Sequence, residues 1–166
     1  MKLTMEQING SSRVQFIEWL GAIFEHSPWV ASSAFHARPF DSVHALHTAM
    51  INVVRESRAE TILDLLRAHP DLGTRLAVAE FSALEQQGAG LDRLSAEEYA
   101  HFYGLNQTYV HTFGFPFILA VRGKNKEQIL EAMEARVRNS TAEELEQALR
   151  EIEKISGFRL KDLIIE

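Results

Sequence analysis

The 166-residue sequence contains no cysteine, which excludes disulfides, thiolate metal sites and a cysteine nucleophile and fits a reducing compartment. Any zinc would have to be held by histidine and carboxylate. Positive charge is also in short supply: 17 Lys and Arg stand against 23 Asp and Glu, a formal net charge of −6. The basic residues are dispersed, so the electrostatic footprint of a nucleic-acid binder is missing. No apolar run approaches the roughly 20 residues of a membrane span, and residues 1–7 lack the apolar region of a secretory signal. The final Ile164-Ile165-Glu166 is not a peroxisomal tail. The expectation is a soluble, cytoplasmic protein with neither nucleic acid nor membrane as partner. Repeats, low-complexity tracts and linkers are absent too, so residues 1–166 read as a single domain; a chain this long buries about 68–70% of the surface it exposes when unfolded.

Helical periodicity dominates what is present. Residues 12–25 place Val14, Phe16, Ile17, Leu20, Ile23 and Phe24 at helical spacing. Ser27 as N-cap and Pro28 at the first helical position open a short helix that ends before Arg38-Pro39. Asp41 is expected to cap a third helix with the stripe Val43, Leu46, Met50, Val53 and Val54. Ser57 is expected to cap a fourth, over about 58–68, with Ile62, Leu63, Leu65 and Leu66 inside. A weaker pattern suggests a helix over about 77–87, before the break Gly88-Ala89-Gly90. The capping box Ser95/Glu98 precedes Tyr99, Phe102, Leu105, Asn106, Tyr109 and Phe113. Asn125 caps the next helix, and Thr141/Glu144 read as the box of a long final helix in which Gly157 is a weak point. Alternation suggestive of a strand survives only near 117–121, so the fold class is all-α: a single-domain multi-helix bundle of about eight helices.

Chemistry concentrates at His69-Pro70-Asp71-Leu72-Gly73. Pro70 stops the preceding helix and pushes His69 out of the α region, leaving a titratable imidazole on stiff backbone. The same histidine also suits the negative end of a helix dipole. Ser82, Glu85 and Gln86 would share one face of a helix, offering a hydroxyl, a carboxylate and an amide; a solvated helix face is the plainer account of that pattern. Phe115-Pro116-Phe117-Ile118-Leu119-Ala120-Val121 is apolar but cannot start as helix. Its backbone groups must be bonded by neighbouring side chains or offered to a ligand. Arg159, flanked by apolar residues, needs an anionic partner if buried, and a substrate carboxylate is one candidate. His44 and His47, with His36 upstream, have the spacing of a zinc pair, but the His-Glu-x-x-His pattern is missing and core or surface is the commoner fate. Trp19 and Trp29, like the Phe113-Phe115-Phe117 series, read as core. Gly123-Lys124-Asn125-Lys126 lacks the spacing of a phosphate-binding loop.

Taken together, Ser27-Pro28-Trp29-Val30, His69-Pro70-Asp71-Leu72, Ser82-x-x-Glu85-Gln86, Leu105-Asn106-x-x-Tyr109, Phe113-Gly114-Phe115-Pro116-Phe117-Ile118 and Phe158-Arg159-Leu160 resemble the OHCU decarboxylase family. Its substrate is 2-oxo-4-hydroxy-4-carboxy-5-ureidoimidazoline. The resemblance runs from about Phe16 to Leu163 and implies an all-helical fold, commonly a homodimer. It further implies the last step of urate breakdown, decarboxylation of this small molecule to (S)-allantoin, with no metal and no organic cofactor. It makes His69 the catalytic acid/base, with Glu85 assisting, and gives substrate contacts to Pro70, Ser82, Gln86, Phe117, Ile118, Leu119 and Arg159. The link from Gly73 to Ser82 is a few residues shorter than the family pattern. Outside that resemblance, the alternative is a non-catalytic all-α module that binds a small anionic ligand or a partner helix through residues 113–121.

Overall fold

The computed structural model describes residues 1–70 and 95–166. The helix expected over 77–87, the break at 88–90, and Ser82, Glu85 and Gln86 lie outside the described residues. Eight α-helices occur among the described residues, with one two-stranded parallel pair, so the class is all-α as the periodicity required. The chain divides into two compact units, Met1–Ala68 with Glu153–Glu166, and His69–Ile152.

In the first unit, β1 (Leu3–Thr4) pairs with β2 (Ile164–Ile165), Leu3 against Ile164. Helices α1 (Met5–Gly10) and α2 (Arg13–Leu20) each open with a capping box, Thr4/Gln7 and Ser12/Gln15. Phe16 anchors the core, with Phe35 at 5.5 Å edge-on and Phe40 at 6.4 Å stacked. Two expectations for this stretch change. Helix α2 stops at Leu20 rather than near residue 25, and Val14, read as part of its apolar stripe, is 75% exposed. The physical reason for the early stop is electrostatic: the Ile23 carbonyl and the Glu25 carboxylate, released from helical geometry, both accept hydrogen bonds from the Arg159 guanidinium at 3.0 Å. Trp19 and Trp29 are only half-buried.

Helix α3 (Trp29–Ala34) packs against α2 and α4 (Val43–Arg55), and α5 (Ala59–Ala68) follows. Three expected caps shift by a residue or change partner. Ser27 bonds the Glu25 carbonyl with its hydroxyl instead of capping α3. Ser42, not Asp41, caps α4, and Glu166 Oε1 accepts the Val43 N–H at 2.7 Å. Ser57 turns its hydroxyl to the Val53 carbonyl and leaves the start of α5 uncapped by its side chain. Ser27 and Ser57 turn their hydroxyls back to a preceding carbonyl, the local competitor of an N-cap bond, whereas Ser42 makes the cap one position after Asp41.

The second unit contains α6 (Ala96–Phe113), α7 (Lys126–Arg136) and the first half of α8 (Thr141–Leu163). The expected caps Ser95 and Asn125 both form, as the boxes Ser95/Glu98 and Asn125/Gln128. Gly114 ends α6 in the left-handed region at φ 77°, a conformation glycine adopts without strain. The box at the start of α8 is Ser140/Glu143 rather than Thr141/Glu144. That shift frees Glu144 to turn inward. The second half of α8 continues through Gly157 without a break, because the missing side chain there admits His47: a Cβ would lie 3.2 Å from its Cε1.

These assignments separate three neighbouring residues by urea denaturation. Ser140→Ala loses a cap and is expected to cost about 1 kcal/mol. Thr141→Ala should be within about 0.5 kcal/mol of the parent. Glu144→Ala strands the buried Arg136 charge and should cost about 3–5 kcal/mol. Equal effects at Ser140 and Thr141 would contradict the observed cap.

Candidate functional site

His69 follows directly on the last residue of α5 and is half-buried, with Pro70 beside it. The helix ends where the proline rule requires, so the imidazole stands at a helix terminus on constrained backbone. Its proposed companions Ser82, Glu85 and Gln86 fall outside the described residues.

The segment 115–121 is buried along its whole length and non-helical. Phe115 and Phe117 set their rings edge-on to Tyr109 at 6.0 and 5.2 Å. The first of the two expected solutions for its backbone occurs, bonding by neighbouring side chains. Arg136 Nη1 donates to the Ile118 carbonyl at 2.5 Å, and the Ala120 N–H donates to Glu151 Oε1 at 3.0 Å. Among the described residues, the N–H groups of Ile118 and Leu119 make no hydrogen bond. They lie between two pinned points.

Arg136 is itself fixed by charge and shape. Its Nε donates to Glu144 Oε1 at 2.8 Å, and its guanidinium lies 4.5 Å from the Phe117 ring centroid. Glu144, fully buried, also accepts from the Tyr109 hydroxyl at 2.6 Å and from Asn139 Nδ2 at 2.9 Å. Burial, reinforced by the Glu144 hydrogen bond, holds Tyr109 far above the usual phenol range, so its hydroxyl remains a donor. A carboxylate with three donors and a paired cation satisfies the condition for a buried charge.

Arg159, in the first unit, is 1% exposed. The anionic partner that its surroundings demand is present within the chain as Glu25, itself buried. The sequence singles out the arginine but not the acid, since Glu25 ends a stretch that reads as one amphipathic helix over residues 12–25, whereas α2 stops at Leu20. Nor does it mark Arg136 and Glu151, which read as ordinary helix-surface charges, and it reads Glu144 as part of a capping box rather than as a buried acid. Asn106 is visible in it as the one amide on an apolar stripe.

His44 is exposed, and His47 Nε2 lies 2.9 Å from the Ser156 hydroxyl. No group of three metal-binding side chains occurs among the described residues. No helix of the described residues is long and apolar enough to cross a membrane.

A model of the family described as OHCU decarboxylase matches residues 9–161. The chain belongs to the OHCU decarboxylase family. It is 45% identical over 161 residues to the 2-oxo-4-hydroxy-4-carboxy-5-ureidoimidazoline decarboxylase of Haloferax volcanii, covering 97% of this chain and 96% of that protein. It is also 45% identical over 163 residues to the uric acid degradation bifunctional protein PucL of Bacillus subtilis. That alignment takes in 98% of this chain but 33% of the relative, so the chain spans about a third of the bifunctional protein. Among solved structures it resembles (S)-allantoin synthase, with a TM-score of 0.82 and 31% identity, covering 98% of this chain and 54% of that one.

His47 supplies a pH test. Burial is the largest influence on its imidazole and lowers the pKa from 6.5; His44 and Lys161 push the same way, while Glu153 opposes them. A folded-state pKa below the unfolded one means that the neutral ring contributes stability above about pH 6.5, and that this contribution is lost as pH falls through the folded value. The decline in urea midpoint from pH 7 to pH 5 should therefore be shallower in His47→Gln than in the parent. An unchanged slope would show that His47 does not titrate on unfolding.

Proposed function

We propose that this chain is a carbon–carbon lyase that decarboxylates 2-oxo-4-hydroxy-4-carboxy-5-ureidoimidazoline to (S)-allantoin, the step that completes conversion of urate to allantoin. The observation that carries the reading is the family match over residues 9–161, at 45% identity to a full-length decarboxylase. That span also supports treating 1–166 as one decarboxylase domain; within the same proposal it works in the cytoplasm as a homodimer.

The substrate supplies its own electron sink. The bond from the hydroxyl-bearing ring carbon to the carboxylate breaks, and its electron pair forms a C=C bond to the ureido-bearing carbon. The pair of the adjacent C=N bond moves to nitrogen, which takes a proton. The resulting enol loses its hydroxyl proton as the ureido-bearing carbon gains one, giving the ring carbonyl of allantoin and releasing CO2. No step calls for a metal or an organic cofactor; the protein must orient, desolvate and move protons.

In this reading His69, assisted by Glu85, handles the proton of the hydroxyl, and Pro70 fixes the ring against the substrate. Ser82 and Gln86 hold the ureido and ring groups. The N–H groups of Ile118 and Leu119, beside Phe117, meet substrate oxygen, and Arg159 is assigned to the anionic side of the substrate. Delivery of a proton to one face sets the S configuration, which spontaneous decay does not.

The test is a circular dichroism time course with substrate made in the cuvette from urate by urate oxidase and hydroxyisourate hydrolase. The wild-type protein should produce rapid growth of the (S)-allantoin signal. His69→Ala should lower the rate by about 10²–10⁴ while its far-UV spectrum stays helical. A His69→Ala protein with near-normal turnover would remove His69 from the chemistry.

A further inference from the structure

The buried face of α6 is formed by Phe102, Asn106, Tyr109 and Phe113, three aromatic side chains and one amide. Asn106 is 3% exposed, and its Oδ1 makes no hydrogen bond to any described residue. An amide oxygen buried without a donor is destabilising and rare in folded proteins, so it calls for an explanation.

The neighbourhood supplies one. After Gly114 the chain turns back along α6: Phe117 packs on Tyr109 at 5.2 Å, and further on Lys126 Nζ meets Glu98 Oε1 at 2.9 Å near the first turn of that helix. Residues 117–126 thus run antiparallel to α6, from Tyr109 toward Glu98. Asn106 precedes Tyr109 by three positions, about 4.5 Å along the helix axis. Extended backbone covers that distance in roughly one to two residues. Asn106 therefore stands abreast of Ile118 and Leu119, the two residues whose N–H groups make no hydrogen bond among the described residues. This register sets the Asn106 acceptor at the level of the Ile118 and Leu119 donors, which have no acceptor among the described residues.

We infer that Asn106 is a further substrate-contacting residue, its amide oxygen accepting an N–H of the ureide framework while the Ile118 and Leu119 N–H groups donate to the neighbouring oxygen. An acceptor next to donors is the complement of a –NH–C(=O)– unit. The inference rests on the proposed decarboxylation of a ureido substrate, and it names a contact within that site. It also accounts for the unpaired Asn106 oxygen in the core: its partner arrives with the substrate.

A residue of this kind differs from a structural one in the sign of its effect on stability. Asn106→Leu replaces the amide with an apolar side chain of similar shape. Its thermal midpoint without ligand should equal or exceed that of the wild type. In the circular dichroism assay its KM for the substrate generated from urate should rise roughly tenfold or more. (S)-Allantoin, added as a stable probe, should raise the thermal midpoint of the wild type but not of the variant. Should the leucine fail to pack, Asn106→Ala is read by KM and by the allantoin shift in the same way. A variant that melts lower yet keeps wild-type KM and a normal allantoin shift overturns the inference and makes Asn106 a structural amide. A wild-type protein that neither speeds (S)-allantoin formation nor responds to allantoin removes the proposed function, and this inference with it. An active wild type with an unaltered variant removes the inference alone.

Discussion

Burying an irregular stretch of backbone is possible only if something else bonds its polar groups, and in this protein that task falls to charged side chains. Residues 115–121 give up helical hydrogen bonding at Gly114-Phe115-Pro116 and run through the core of their unit. Arg136 takes the Ile118 carbonyl and Glu151 takes the Ala120 N–H. Neither charge is stable there alone. Arg136 depends on Glu144, which in turn depends on the Tyr109 hydroxyl and the Asn139 amide. Replacing these groups with apolar residues of equal volume could leave the fold as stable, but it would leave the segment with no fixed position.

The same device recurs in the other unit. Residues 21–28 abandon the helix of α2, and Arg159 takes the Ile23 carbonyl while pairing with Glu25. Glu144, Glu151 and Arg159 all belong to α8. At 100° per residue they lie within about 80° of one another on the same stripe as Ala148 and Ile155. One long helix thus inserts three charges into otherwise apolar surroundings: Glu151 and Arg159 bond backbone that has left regular structure, and Glu144 holds the arginine that does so. The helix provides the register, and the charges specify which carbonyl or N–H each irregular segment must present.

This division explains what is legible in the sequence. Local chemistry is: the Ser95/Glu98 and Asn125 caps, the end of α6 at Gly114 and the proline-terminated helix before His69 all depend on residues within a few positions. The caps that shifted, Ser42 for Asp41 and Ser140 for Thr141, did so between adjacent residues of similar capping ability, where spacing cannot decide. Long-range pairing is not legible. Glu25 and Arg159 are 134 residues apart, and Arg136 looks like any basic residue in the last turn of a helix until Glu144 is seen to face it. The apolar stripe of α6 does contain a visible anomaly in Asn106. Of the residues assigned to the site, His69, Pro70, Phe117, Ile118, Leu119 and Arg159 are described, whereas Ser82, Glu85 and Gln86 rest on the family resemblance.

A reaction whose substrate carries its own electron sink asks little of an enzyme in reactivity and much in geometry. Its uncatalysed course already proceeds; what distinguishes the catalysed one is the face on which the new C–H bond forms. Stereochemical control of that kind requires donors and acceptors that do not relax around the substrate, since a free energy difference of about 1.4 kcal/mol between the two faces gives only tenfold selectivity. Backbone N–H groups held between a buried arginine and a buried glutamate are suited to the purpose, because moving either peptide would break a hydrogen bond to a buried charged group. On this view the ion pairs around residues 115–121 are retained for the position they enforce on Ile118 and Leu119. The inferred role of Asn106 follows the same logic: a buried amide oxygen with no partner among the described residues costs stability, and a substrate N–H that satisfied it would add to the selection of one orientation.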